Sequence, residues 1–505
     1  MWILDGLKAR KDSGAAAMVH RGDKITYREL WDRSESAARW ICENTKTMNP
    51  VLIYGNKDIG ILTAMIAALK SGRAYVPVDV TFPVERLGKI AGITGAEVIF
   101  NFSGLDISSV TREGAVRAVG PEQFRDLERL PCPEPLSPGH WVKDGDNCYI
   151  LFTSGSTGEP KGVQISKRNI LNFTDWFSRY AAPEEGTAAL NQVSYSFDVS
   201  VIQLYIYLPN GVTLFNIDKG MLDDFGELFG FLRTSGITAW VSTPAFIEMC
   251  AVYGAFSAEL LPNLKKIILA GEVLTKKLVR SLWDKFPGAE VVNGYGPTEG
   301  TVLLTCCAVT PEMMADEANE LPIGTILDGG TFWLESGGRR VEAEGEKGEL
   351  IVSSASISSG YYKNPEATAR SFFLSGGVQT YRTGDLAYVL GGLIYYCGRT
   401  DFQIKLNGYR IELDDISENL NKIGFISNNV VLPAYRDGRV AFIAAFVVLS
   451  RDLGLSAPKT SILIRKELAE RVPSYMVPKK IVVLKEFPLN TNGKIDRAKL
   501  KETYL

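Results

Sequence analysis

Residues 50–79 read PVLIYGNKDIGILTAMIAALKSGRAYVPVD. A short apolar run, PVLIYG, gives way to a longer apolar stretch of helical length, DIGILTAMIAALKSG, and then to a second short run, AYVPVD. The next segments repeat the alternation, with PVERLGKIAGITG as helix and AEVIF as strand. Short runs rich in β-branched and aromatic residues alternating with helical segments are the pattern of βα units that feed a mostly parallel sheet.

A second series begins after residue 160. It predicts helices over SKRNILNFTDWFSRY, VSVIQLYIYLPNG, DDFGELFGFLRTSG and TKKLVRSLWDKFPG, and strands over ALNQVSY, VTLFNI, ITAWVS, LKKIILAG and AEVVNGYG. Beyond about residue 320 the helical pattern yields to Gly-punctuated strand-like segments such as GELIVSS and GGLIYYCGR. The last hundred or so residues, with DDISENLNKI, VAFIAAFVVL and TSILIRKELAERV, read as α+β. The expected architecture is α/β: a large N-terminal domain of two βαβ-type subdomains plus a β-rich subdomain, then a small mobile α+β C-terminal domain. Residues 1–397 form the core in this reading, 398–401 a hinge centred on Asp401, and 402–505 a lid.

Composition narrows the function. The chain has 505 residues and a net charge of −3, which gives no electrostatic footprint for nucleic acid. Its seven cysteines lack any C-x-x-C spacing, so neither a zinc site nor a disulfide framework is indicated. Buried free thiols in a reducing compartment are expected. The two histidines, His20 and His140, sit in polar surroundings, and surface placement is expected for both. The longest apolar runs are about half a membrane span, and the N-terminus lacks the basic-then-apolar order of a signal peptide. A cytoplasmic protein without membrane insertion is expected.

YILFTSGSTGEPKG, residues 149–162, sets a strand-like run against a loop of Thr, Ser and Gly. Glycines let successive amides converge on one anion, and the hydroxyls add donors. The spacing is not that of the Walker motif. Further polar clusters fall where strands end, at Ser242–Pro244, Gly271–Glu272 and Asn293–Gly300. In open α/β sheets ligands gather at those carboxyl ends.

YILFTSGSTGEPKGV, NGYGPTEG, YRTGD, GRTDFQIKLNGYRIE and NTNGKIDR occur in the order found in adenylate-forming enzymes. The chain resembles the amino-acid adenylation proteins of that superfamily, most closely the D-alanine–carrier protein ligases. SFDVSV, STPAFIEMC, LAGEVL and YGPTEGTV are similar to that family's versions. The resemblance implies two steps: an amino-acid carboxylate attacks the α-phosphorus of Mg·ATP, and a carrier-bound phosphopantetheine thiol then takes the aminoacyl group. Both steps demand charge stabilisation more than proton transfer, which suits a chain with two histidines.

The resemblance makes Thr153, Ser154, Gly155, Ser156, Thr157, Gly158 and Lys161 the phosphate cradle. Tyr295 would stack on adenine, Thr298 would bond the α-phosphate, and Glu299 would hold Mg²⁺, a hard cation. Asp385 would accept both ribose hydroxyls and Arg399 would add a bond. Lys494 would bridge the substrate carboxylate and α-phosphate as the catalytic residue. Asp401 would be the pivot, with Asn407–Arg410 facing the cleft after rotation. The thiol is expected to arrive on a carrier protein in trans, since no carrier domain fits in the chain, with ATP and Mg²⁺ as cofactors, and a monomer is expected.

Asp198 of SFDVSV matches the aspartate that pairs with a substrate's α-ammonium. It favours an amino acid over the fatty or aryl acids of CoA ligases, although an aspartate before VSVIQLY could also cap a helix. The remaining pocket positions, by resemblance, are Val199, Ile202, Val241, Ile268, Ala270, Gly294, Val302 and Leu303. Asp198 alone is charged, so a neutral apolar amino acid is expected. D-alanine ligases typically carry cysteine where Ala270 stands, and Gly294 removes a further side chain. Unless neighbours collapse inward, D-alanine would leave a void, at about 24 cal/mol per Å³. D-alanine therefore competes with a larger apolar amino acid or L-alanine, the latter choices suiting a stand-alone enzyme of the nonribosomal-peptide type.

Overall fold

Val51–Gly55 is a strand buried along its whole length, as β-branched and aromatic residues covered on both faces require. Helix Ile59–Lys70 follows, opened by Asp58, whose carboxylate accepts from the Gly60 amide at 2.7 Å. Tyr75–Asp79 returns parallel to the first strand, with Val51 opposite Tyr75 and Gly55 opposite Asp79. The alternation predicted for residues 50–79 is thus a βαβ unit.

The computed structural model describes residues 1–111, 116–132, 134–153, 159–401, 403–436, 439–488 and 495–505. It divides the chain into two compact units: Met1–Asp79, Ala91–Phe152 and Gly162–Thr400 form the first, and Val80–Ile90, Thr153–Lys161 and Asp401–Leu505 the second.

Among the described residues the first unit is organised on three sheets. One contains Val51–Gly55, Tyr75–Asp79, Val98–Asn101 and Arg117–Val119 in parallel pairings. Another has a parallel centre, running through Ala16–His20, Thr213–Asn216, Ala188–Asn191, Ala239–Ser242, Lys266–Ala270 and Glu290–Tyr295. Antiparallel strands flank that centre, Asp23–Thr26 on one side and Thr305–Ala308 on the other. The third sheet, including Thr331–Ser336, Gly348–Ser353, Val378–Leu390 and Leu393–Arg399, is antiparallel. The expected α/β class is borne out.

One predicted helix differs in detail. VSVIQLYIYLPNG begins as an α-turn at Ser200–Ile202, widens to a π-helix over Gln203–Tyr207 and tightens to a 3₁₀ turn at Leu208–Asn210. Gly211, at φ 83°, ends it, a conformation that glycine adopts without strain.

The second unit pairs Gln403–Leu406 with Tyr409–Glu412 and sets Ile426–Arg436, Arg439–Leu449 and Lys480–Leu484 in a three-stranded sheet. Helices Leu413–Asn421 and Ala457–Ala469 contribute Ile416, Leu420, Ile464 and Leu468 to its core. Arg86 and Asp415, both buried, pair within this unit at 3.5 Å.

One expectation about a single residue needs adjustment. His140 is exposed in the turn Pro138–His140, but His20 is half-buried, its Nε2 2.8 Å from Asp218. The parallel pairing of His20 with Asn216 brings it there, a long-range register invisible to local polarity. The seven cysteines are free, four buried and three half-buried. No helix among the described residues is long and apolar enough to cross a membrane.

Lys70, wholly buried at the end of its helix, lies 2.8 Å from Glu35, donates to the Trp31 carbonyl at 2.9 Å and stands 3.4 Å from the Trp31 ring centroid. Burial pulls its pKa down to about 8. Removing one member of such a pair strands a charge. Glu35→Ala should therefore cost about 3–5 kcal/mol, whereas Glu35→Leu with Lys70→Met should regain most of it. Thermal unfolding midpoints check this, and a Glu35→Ala midpoint at the wild-type value would show that Trp31 alone satisfies the lysine.

Candidate functional site

The parallel strands of the larger sheet end at Asn191, Ser242, Ala270 and Tyr295. Register sets Val241 opposite Ile268 and Ala270 opposite Gly294. Phe197, next to Asp198, lies against this edge: a Cβ on Gly271 would stand 3.0 Å from its ring. Val199, Ile202, Val241, Ile268, Ala270, Val302 and Leu303 all belong to one buried cluster. Of the predicted pocket positions, Val241 and Ile268 are thus neighbours, as are Ala270 and Gly294, and Asp198 is 3 % exposed. The helix after Asp198 takes Val199 as its N-cap with no side-chain cap bond.

Leu303 alters the expected volume. Its two δ-methyls stand 2.8 and 3.0 Å from where a Cβ at Gly294 would lie. The space released by glycine is therefore occupied, and the void expected there is closed by a neighbour. Sequence gave no sign of this, because Leu303 reaches Gly294 only through an unusual backbone. Thr301 and Val302 have φ of 59° and 71°, outliers for β-branched residues. The Thr301 hydroxyl, donating to the Ser356 carbonyl at 2.6 Å, holds the turn.

Glu299 and Thr298 lie in the 3₁₀ turn Thr298–Gly300, both buried. Tyr361 donates its hydroxyl to Glu299 Oε1 at 2.8 Å, and the Ser358 amide donates to the Glu299 carbonyl at 2.8 Å. Among the described residues no group of three or more His, Cys, Asp or Glu could hold a metal ion. A single carboxylate still fits magnesium, which commonly takes one or two and fills its shell with phosphate oxygens and water.

Asp385, on the strand Val378–Leu390, receives the Tyr295 hydroxyl on Oδ2 at 2.5 Å and Arg399 Nη1 on Oδ1. Burial first, and the Asp385 charge second, push the Tyr295 pKa upward, so the hydroxyl stays protonated and donates. The Asp385 amide donates to Thr383 Oγ1 at 3.0 Å, and that hydroxyl donates to the Leu350 carbonyl at 2.7 Å. Each carboxylate oxygen can accept a second bond, so the pair of oxygens expected to meet two ribose hydroxyls is fixed in place and retains acceptor capacity.

Tyr361, Thr383 and Ser356 were not singled out in the sequence. Thr383 sits inside YRTGD and could have been found from the recurrence of hydroxyl caps beside a carboxylate; Tyr361 and Ser356 come from a distant loop with no local signal.

Thr153, Lys161 and Asp401 fall in the second unit. Thr153 Oγ1 lies 3.5 Å from the Lys161 carbonyl, and Asp401 is exposed. Asn407 and Gly408 form the turn of the hairpin Gln403–Glu412 with φ of 52° and 82°, as a tight two-residue turn requires. Ser154, Gly155, Ser156, Thr157, Gly158 and Lys494 lie outside the described residues.

Residues 7–362 match the model of the AMP-binding enzyme family and residues 416–494 that of the AMP-binding enzyme C-terminal domain. The chain is 38 % identical to the D-alanine--D-alanyl carrier protein ligase of Bacillus licheniformis, over 99 % of each chain. Its fold is similar to that of a Vibrio cholerae adenylation domain solved in complex with glycyl-adenosine-5'-phosphate, at TM-score 0.82 and 21 % identity, covering 99 % of this chain and 96 % of that one. It is also similar to an NRPS protein containing adenylation and PCP domains, at TM-score 0.82 and 24 % identity, covering 99 % and 84 %. With most of its length matched by the family model and its whole length by a curated relative, the chain belongs to the AMP-binding enzyme family.

Proposed function

We propose that this enzyme activates a small neutral amino acid, D-alanine foremost, as its adenylate at the expense of ATP and passes it to the phosphopantetheine thiol of a separate carrier protein. The observation that carries this reading is Leu303 filling the space beside Gly294, which narrows that side of the proposed pocket. The full-length identity to a D-alanine--D-alanyl carrier protein ligase supports it. The small side chain at Ala270 favours a second reading, a larger apolar amino acid handled by an enzyme of the nonribosomal-peptide type.

Asp198, buried at the strand edge, pairs with the α-ammonium, which a fatty or aryl acid lacks. Tyr295, its hydroxyl anchored on Asp385, presents a fixed ring to adenine, and Asp385 and Arg399 take the ribose. Thr298 bonds the α-phosphate, and Thr153 to Lys161 cradle the outer phosphates. Glu299 would hold magnesium, whose charge lessens repulsion between the phosphates and the incoming carboxylate.

A carboxylate oxygen of the amino acid bonds to the α-phosphorus as the bridge to the β-phosphate breaks, and pyrophosphate leaves. Lys494 bridges carboxylate and α-phosphate and stabilises the charge that builds there. The thiolate then bonds the acyl carbon and AMP leaves. A lysine on a terminal domain can serve the first step and withdraw for the second by rotation at Asp401, bringing Asn407–Arg410 to the thiol's path. The enzyme acts as a monomer in the cytoplasm.

ATP–pyrophosphate exchange tests each part. Asp198→Ala should lower amino-acid-dependent exchange at least about 30-fold, the scale of a truncated buried charge pair; wild-type exchange would remove the amino-acid assignment.

Lys494→Ala should lower adenylation by at least about 10²-fold with the fold retained. Full activity in that variant would contradict its bridging role.

Leu303→Ala should raise kcat/KM for leucine relative to alanine by about tenfold or more. An unchanged ratio would show that Leu303 does not bound the pocket.

A further inference from the structure

Lys57 is buried in the loop after Val51–Gly55. Its ammonium donates to Asn191 Oδ1 at 2.8 Å and stands 3.6 Å from the Tyr195 ring centroid. Burial lowers its pKa, and the charge of Asp79 opposes that shift. Asn191 in turn donates to the Tyr195 hydroxyl at 2.9 Å and to Asn216 Oδ1 at 3.0 Å. Asp79, at the end of Tyr75–Asp79, accepts from Ser194 Oγ at 2.6 Å and from Asn56 Nδ2 at 3.1 Å on the same oxygen.

These groups converge on one segment. Ser194 is fastened to Asp79, Tyr195 to Lys57 and Asn191, and Ser196 donates to the Pro77 carbonyl at 3.0 Å. The Phe197 amide donates back to the Ser194 carbonyl at 2.9 Å, and Asp198 follows directly. Phe197 itself abuts Gly271 beside the pocket. The ends of two strands from one sheet thus grip the approach to the ammonium-binding carboxylate on the other.

A buried ammonium over an aromatic face is a costly choice unless it orders its neighbours. An apolar side chain would fill the same volume, yet it could not donate a hydrogen bond to the Asn191 side chain. We propose that Lys57 is a positioning residue for amino-acid binding. Together with Asp79 and Asn191 it sets the Ser194–Asp198 segment, and with it the place of the Asp198 carboxylate, without touching substrate. This inference rests on the reading of Asp198 as the partner of the substrate ammonium.

The test measures KM for alanine and for ATP separately, by exchange, in the full-length wild type and in Lys57→Met, Ser194→Ala, their double variant and Asp198→Ala. A misplaced carboxylate can cost up to about 10²-fold. Lys57→Met should raise the alanine KM at least about tenfold, with the ATP KM within about twofold of wild type. Ser194→Ala, a half-buried hydroxyl whose loss should leave the fold intact, should raise the alanine KM in the same selective way. The double variant should fall short of the product of the single effects, because both act on one segment.

A purely structural lysine would shift both KM values together or lower the thermal midpoint alone, and either result overturns the proposal. If Lys57→Met does not fold, Ser194→Ala decides: an unchanged alanine KM overturns it. Impaired Asp198→Ala beside wild-type values in both other variants would leave the amino-acid reading standing and remove this inference alone. A wild-type Asp198→Ala would remove both.

Discussion

The bond between the Tyr295 hydroxyl and the Asp385 carboxylate joins two different kinds of sheet. Tyr295 ends a strand of the parallel sheet, while Asp385 sits mid-strand in the antiparallel one. Neither group could remain buried by itself, since an unpartnered buried carboxylate or hydroxyl is costly. Arg399, opposite Asp385 in the antiparallel register, completes the charge balance. The turn that carries Glu299, Val302 and Leu303 follows directly on this junction. The bonds from Tyr361 to Glu299 and from Thr301 to Ser356 repeat the connection a few residues on.

That junction explains why strain is tolerated at Thr301 and Val302. Two successive β-branched residues in the left-handed region cost on the order of 1–3 kcal/mol each. The strain persists because the turn is held from both sides: Leu304 donates to the Tyr295 carbonyl at 2.8 Å, and Leu303 to the Thr301 carbonyl at 2.9 Å. Its result is to turn Leu303 back over Gly294.

The layered α/β design was legible because each strand and helix carries its own period. Val51–Gly55 and Tyr75–Asp79 announce themselves by apolar runs of strand length, and Ile59–Lys70 by its length and its aspartate cap. The placing of Asn191, Ser242, Ala270 and Tyr295 at the ends of parallel strands could be anticipated from the alternating pattern and from the rule that loops collect at carboxyl ends of strands. What stayed hidden depends on register between distant segments. His20 meets Asp218, Lys57 meets Asn191, and Tyr361 meets Glu299 across 198, 134 and 62 residues. No local pattern encodes those pairings.

The pocket shows why residue lists mislead about volume. Ala270 and Gly294 face each other across adjacent strands, and counted as side chains both enlarge the site. Counted as space they differ, because Leu303 re-enters beside Gly294 and no glycine-sized gap is left there. Packing density in protein interiors leaves few voids larger than a water molecule, so a deleted side chain within a rigid sheet is usually answered by a neighbour from a turn. Here the neighbour is available because the strained turn places it. The space at this strand edge is therefore set jointly by two small residues on strands and one large residue on a turn.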